Sequence, residues 1–227
     1  KIMKEESLVI KKSYWLNKEQ MDEYFLLNQK VFNLVGKLVN EPIKMEENIY
    51  YYKFFDGFDL LPSINNQVHR AIKSIKGKIK DKKEVMINIL NGFMRLINEA
   101  NIIVTDISNG NNIMVSNNSN DICFIDLDSS IDINSFEENL ENSKMLLITM
   151  NNLWSIIVSL FTSTQITNKC RKKYDLRGSS GMWLIYFIQE NKSIFNDFFE
   201  KLIDLHQSRN LNINDIKIFI DELKESV

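Results

Sequence analysis

The stretch NIIVTDISNGNNIMVSNNSNDICFIDLDSS, residues 101–130, decides how the chain is read. It holds two apolar runs, and each ends at or just before an aspartate: Asp106 after the first, Asp126 at the close of the second. Between them lie "NIMV" and the turn "SNNSN", whose asparagines tolerate the left-handed backbone of a tight connection. Pairing "NIMV" with "DICFID" as a hairpin brings their outer ends together. Asp106 and Asp126 then face one cavity, along with Asn111 or Asn112. Two carboxylates and a carboxamide so placed suit phosphoryl transfer. One aspartate accepts a hydroxyl proton, while the other and the asparagine hold Mg²⁺ on the phosphates. The same residue types also make ordinary turns and strand ends, so the surrounding chain has to decide.

The surroundings are those of a folded protein. At 227 residues, 44% of them hydrophobic, the chain can bury a sizeable core as one domain or two small lobes. A formal net charge of -2 argues against bulk attraction to nucleic acid or membrane surfaces. Cys123 and Cys170 have no paired spacing and read as reduced thiols of a cytoplasmic protein. No apolar run approaches the roughly 18 residues of a membrane span, and no signal-peptide pattern opens the chain.

Upstream of the quoted stretch, residues 7–60 alternate in character. "SLVIKKS" is a β-branched strand, and "NKEQMDEYFLLNQKVFNLVGKL" has helical spacing, with Met21, Phe25, Leu27, Val31 and Leu34 on a broad face. "NIYYYKFF" is an aromatic strand, broken by "DGFD". From about residue 84 the pattern turns helical, in "KEVMINILNGFMRLINEAN", "NNLWSIIVSLFTS", "GMWLIYFIQENKSIFNDFFEKLIDLH" and "INDIKIFIDELKE". The hairpin is the clear β interruption there. The basic run "HRAIKSIKGKIKDKK", which includes His69, and the acidic run "DSSIDINSFEENLEN" read as solvated faces. Trp154 and Trp183 read as core.

A small mixed lobe followed by a helical lobe with one embedded hairpin resembles the protein kinase-like superfamily, as a divergent member. "ILNGFMRLINEANIIVTDISNGNNIMV" followed by "ICFIDLD" is similar to its catalytic loop, hairpin and metal-binding aspartate. "LVIKK" resembles the strand carrying the phosphate-binding lysine, "DEYFLL" the helix carrying its glutamate partner, and "YYYKFFDGFDL" the hinge. "NNLWSIIVSLF" resembles the buried helix that usually reads D-x-W-S.

The resemblance implies an α+β, two-lobed fold spanning residues 1–227, with an N-lobe over 1–55, a hinge at about 53–60 and a C-lobe over 61–227. It implies Lys11 on the ATP phosphates, with Lys12 as the alternative, and Val9 over the adenine. Glu23, or Glu19, takes the place of the helix glutamate. The hinge backbone at Lys53, Phe54 and Phe55 pairs with the adenine, and Met114 is a further nucleotide-binding residue. Asp106 is the catalytic base, and Asp126 is the metal ligand with Asn111 or Asn112. The cofactors so implied are ATP and Mg²⁺. The implied activity is transfer of the γ-phosphoryl to a hydroxyl, Ser or Thr of a protein in first place. The alternatives are a small-molecule kinase of the aminoglycoside or choline type, and a pseudokinase that binds without turnover. Neither nucleic acid nor a membrane span is expected.

Departures from the family pattern are specific. Val104 and Thr105 stand where His-Arg is usual, which removes the partner of a phosphorylated activation loop. Ser108 replaces a lysine, Leu127 and Asp128 replace Phe-Gly, Asn152 replaces an aspartate, and no A-P-E precedes the "NNLWS" helix. A Gly-rich phosphate loop is expected upstream of Lys1 or not at all.

Overall fold

The computed structural model describes residues 8–12, 16–60, 79, 81–107, 112–161 and 211–225. Asn111, Ser108, His69, Cys170, Trp183, the expected helix at 181–206 and most of the basic run lie outside the described residues, as does the side chain of Trp154. The described chain is mixed α+β, with helices and small antiparallel sheets.

The first sheet has the order β1-β3-β2, from β1 (Leu8–Lys12), β2 (Pro42–Glu46) and β3 (Ile49–Lys53). Helix α1 (Lys18–Val35) crosses between β1 and β2. A capping box starts it: Asn17 Oδ1 accepts from the Gln20 backbone N–H at 2.9 Å, and Gln20 Oε1 accepts from the Asn17 N–H at 3.0 Å. Gly36, at φ +61°, ends it in a conformation only glycine adopts freely. The buried face runs through Met21, Tyr24, Asn28, Val31 and Val35, in steps of three and four residues. Leu34, expected on the core face, is 46% exposed because the stripe passes one residue to its C-terminal side, at Val35. β2 escaped the sequence reading because Pro42 opens it; a proline is tolerated there as the first residue of an edge strand.

The second sheet, β4-β6-β7, contains the hairpin. β6 (Ile113–Ser116) pairs antiparallel with β7 (Ile122–Phe124), with Ile113 opposite Phe124 and Val115 opposite Ile122. "DGFD", read as a break, instead supplies β4 (Gly57–Asp59), which pairs with β6. Gly57 permits this, since a Cβ there would sit 2.4 Å from the Val115 carbonyl oxygen. Asp56 fastens the join, accepting from the Asn117 side chain at 2.7 Å and from Asn118 at 3.2 Å.

Helix α2 (Lys82–Glu99) is the spine, burying Val85, Met86, Ile89, Leu90, Phe93, Leu96 and Ile97. Gly92 lets it approach the hairpin: a Cβ there would lie 2.8 Å from the Phe124 ring. Phe93 meets the same ring edge-to-face at 5.1 Å. Two strands not expected after residue 84, β5 (Ile102–Val104) and β8 (Ser130–Asp132), pair antiparallel. β8 lies within the acidic run, expected from the sequence to be a solvated face. Helix α3 (Leu140–Phe161) begins well before the expected 151, and α4 (Ile213–Glu225) packs its buried Ile216, Phe219, Ile220 and Leu223 against α2 and α3. A parallel bridge between Val39 and Phe124 ties the segment after α1 to the hairpin.

Candidate functional site

Lys11 reaches the site from β1. In the β1–β3 ladder it lies opposite Tyr50, and alternation puts it on the same face as Val9. Its ammonium meets Asp126 Oδ1 at 2.5 Å and Asp128 Oδ2 at 3.1 Å, across more than a hundred residues of sequence. The three side chains are 31%, 33% and 39% exposed, so the pairing is partly shielded from water. Burial by itself raises the Asp126 carboxyl, but hydrogen bonds from Asp128 and Lys11 and the lysine charge outweigh it and hold the group below its usual range. Burial and then the adjoining Asp126 push Asp128 up to about 6. Burial lowers Lys11, and the two carboxylates more than reverse this.

Asp126 has φ +65°, a left-handed conformation that costs a non-glycine residue about 1 kcal/mol or more. The neighbouring chain holds it there. On one side the Ile125 N–H donates to the Asn112 carbonyl at 2.9 Å. On the other, Leu127 is buried and its carbonyl accepts from the Ser130 N–H at 3.1 Å. The effect is to turn the Asp126 carboxylate out of the β7 line and toward Lys11.

Asp106 follows the buried strand β5, and the loop is tethered by the Thr105 hydroxyl, which donates to the Ser129 carbonyl. Asn112 Nδ2 donates to the Asp106 carbonyl oxygen at 2.6 Å. One asparagine therefore joins the two aspartate loops, by its side chain to Asp106 and by its backbone to Ile125. The Asp106 carboxylate is exposed and has no hydrogen bond or ion pair among the described residues. The Nδ2 bond leaves the Asn112 carboxamide oxygen available as an acceptor.

The other sequence candidates fall in different surroundings. Glu23 and Glu19 are exposed on α1, and among the described residues the ion pairs of Lys11 are with Asp126 and Asp128, not with either glutamate. Tyr24 takes the inward position instead. Its hydroxyl donates to Asp126 Oδ1 at 3.4 Å and its ring centroid lies 5.1 Å from the Lys11 ammonium. Burial and the two aspartates push that hydroxyl well above the usual tyrosine range, so it stays a donor. Lys12 is exposed, and Val9 lies on the partly exposed face of β1. Met114 is half-buried, opposite Cys123 in one ladder and Asp59 in the other. The Lys53 N–H donates to the Glu41 carbonyl at 2.9 Å, its ammonium pairs with Glu41 at 3.2 Å, Phe54 is exposed and Phe55 is half-buried.

Tyr24 and Asp128 are the site residues that sequence reasoning missed. For Tyr24 the signal was the spacing Met21-Tyr24-Asn28, which places it and not Glu23 on the inner helix face. For Asp128 it was the step of two from Asp126 across a buried Leu127.

No family model matches the chain, and no curated protein matches it. Among the described residues, no helix is long and apolar enough to cross a membrane, and no group of three or more His, Cys, Asp or Glu is arranged to hold a metal ion.

Proposed function

We propose that the chain is an ATP-dependent phosphotransferase, a divergent protein kinase-like domain in which residues 1–55 and 61–227 form two lobes joined at about 53–60. The reading rests above all on one observation: the Lys11 ammonium lies 2.5 Å from Asp126, itself held at positive φ at the close of a hairpin before which Asn112 holds the Asp106 carbonyl.

Each residue has a chemical task in this reading. Lys11 exchanges Asp128 for an ATP phosphate and neutralises its charge. The Asp126 carboxylate and the Asn112 carboxamide are hard oxygen donors. They suit Mg²⁺, which usually takes one or two carboxylates and leaves its other positions to phosphates and water. Bound there, the ion would supply charge neutralisation on the phosphates. Asp106, exposed and with no side-chain partner among the described residues, accepts the proton of the attacking hydroxyl as its oxygen bonds to the γ-phosphorus and ADP departs. The acceptor we assign is a Ser or Thr hydroxyl of a protein. The absence of an arginine before Asp106 makes activity independent of loop phosphorylation.

One observation favours a second reading, a nucleotide-binding or partner-binding pseudokinase. Lys11 is engaged by two carboxylates at once, and a lysine that kept both would not reach a phosphate. Incubation with γ-labelled ATP and Mg²⁺, alone and with a protein lysate and a metabolite panel, separates the readings. Label transferred to protein supports the assignment, and label transferred to a metabolite replaces the acceptor. Binding of ATP without transfer leaves the pseudokinase.

A further inference from the structure

The inner face of α1 meets the Lys11–Asp126 pair through a tyrosine. Tyr24 is 7% exposed, and its ring stands edge-to-face against Tyr50 at 5.2 Å, the residue opposite Lys11 in the sheet. Tyr52 continues the stack, its ring 6.3 Å from that of Tyr50. One turn along, the buried Asn28 side chain donates to the Tyr24 carbonyl at 2.7 Å, which fixes the helix backbone at this level. The ring is thus packed on Tyr50 from a fixed helix turn, and it touches both members of the ion pair: the ammonium by its face and Asp126 Oδ1 by its hydroxyl.

We propose that Tyr24 is the positioning residue of the site, holding the Lys11 ammonium against Asp126 through ring face and hydroxyl, in the place where Glu23 was expected. A ring face attracts a cation without cancelling its charge. The tyrosine therefore orients Lys11 without adding a third carboxylate to the two, Asp126 and Asp128, that the lysine already meets. A carboxylate in the same position would compete with an anionic ligand. The orienting role follows from geometry alone; its consequence for turnover rests on the phosphotransferase reading.

Labelling of the intact protein with a small amine-acylating reagent, without nucleotide, tests the orienting role. Peptide mass spectrometry gives the ratio of Lys11 to Lys12 modification, and a merely loosened strand would raise both lysines together. Tyr24→Met fills the space without a ring face and should raise the ratio about fivefold, the equivalent of one partly exposed cation–π contact. Tyr24→Phe restores the ring and should bring it within about twofold of wild type. Glu23→Gln should leave it unchanged. An unchanged ratio in Tyr24→Met, a Tyr24→Phe value as high as that of Tyr24→Met, or an equal rise in Glu23→Gln overturns the assignment. Should Tyr24→Met fail to fold, Tyr24→Leu, which also lacks a ring face, takes its place with the same expected rise, and an unchanged ratio there defeats the assignment. With MgATP, Tyr24→Met should lower kcat about tenfold while KM for ATP stays within about twofold. A wild-type protein that transfers no phosphate but shows the labelling pattern disproves the phosphotransferase reading and leaves Tyr24 as the positioning residue; transfer with no labelling change does the opposite.

Discussion

The two loops that flank the hairpin carry the same kind of side chain in opposite states. Asp126 is half-buried, strained at φ +65°, and engaged by Lys11 and Tyr24. Asp106 is exposed, and among the described residues only its backbone carbonyl is held, by Asn112. A carboxylate locked by a cation is poised to share that position with another cation, and a carboxylate left open is poised to take a proton. The contrast supports different tasks for the two aspartates, and it can be broken one residue at a time.

The largest effect is expected at the open loop. Asp106→Asn keeps size and backbone contacts but cannot accept a proton, so turnover should fall by roughly 10² to 10⁴, with ATP affinity and thermal stability near wild type. Steady-state transfer of labelled phosphate measures the first, and calorimetric titration with MgATP the second. Equal losses in affinity and turnover would erase the contrast. At the locked loop, Asp126→Ala should weaken Mg²⁺-dependent ATP binding by about 10- to 100-fold. Binding measured in excess chelator should change little, because the carboxylate acts there through the ion. A loss of the same size with and without Mg²⁺ would mean that Asp126 serves only to hold Lys11.

Asn112 joins the loops, and Asn112→Ala should blur them. Losing its bond to the Asp106 carbonyl costs about 1 kcal/mol of stability, read as a lower urea midpoint, and turnover should fall about tenfold as the Asp106 loop drifts. If stability drops while turnover holds, the link is structural only.

How far these placements could be read beforehand depended on range along the chain. The hairpin was legible because both strands and their turn lie within residues 112–126, and a period-2 pattern closed by asparagines has few alternatives. Alternation along β1 likewise placed Lys11 and Val9 on one face. The β5–β8 pairing was not legible. Its partners are three residues each, and "SID" has no strand composition of its own; it is strand because Ile103 and its neighbours need ladder partners at a buried position. The start of α3 was hidden for a similar reason. Its first turns read "LENSK", and what secures them is distant, a pair of hydrogen bonds between buried Ser143 and the backbone of Leu211. The expected face held Met21 and Val31, which are buried, and Phe25 and Leu27, which pack partly buried on the core; Tyr24 was lost because the fully buried line between the first two passes through Tyr24 and Asn28. Local pattern thus located the loops, and the contacts between them came from tertiary pairing.

The smallest effect concerns Asp128, whose affinity for a proton is raised by burial and then by Asp126 beside it. Its folded value of about 6 lies above the ordinary 3.8, so the native protein binds this proton more tightly than the unfolded chain does. The sign follows: the contribution to stability is complete below about pH 4 and is lost as pH rises through about 6. Asp126 shifts the other way and contributes stability that is lost on acidification, which makes the total profile shallow. The Asp128 part is isolated by Asp128→Asn, which resembles the protonated form at every pH. The side chain is 39% exposed, so solvent screening limits the effect to about 1 kcal/mol. Urea unfolding at pH 4 should give wild type and variant equal stability, and at pH 7 the variant should be the more stable. Parallel profiles across that interval would mean that Asp128 feels neither burial nor Asp126, and the locked loop would then consist of Lys11, Tyr24 and one carboxylate rather than two.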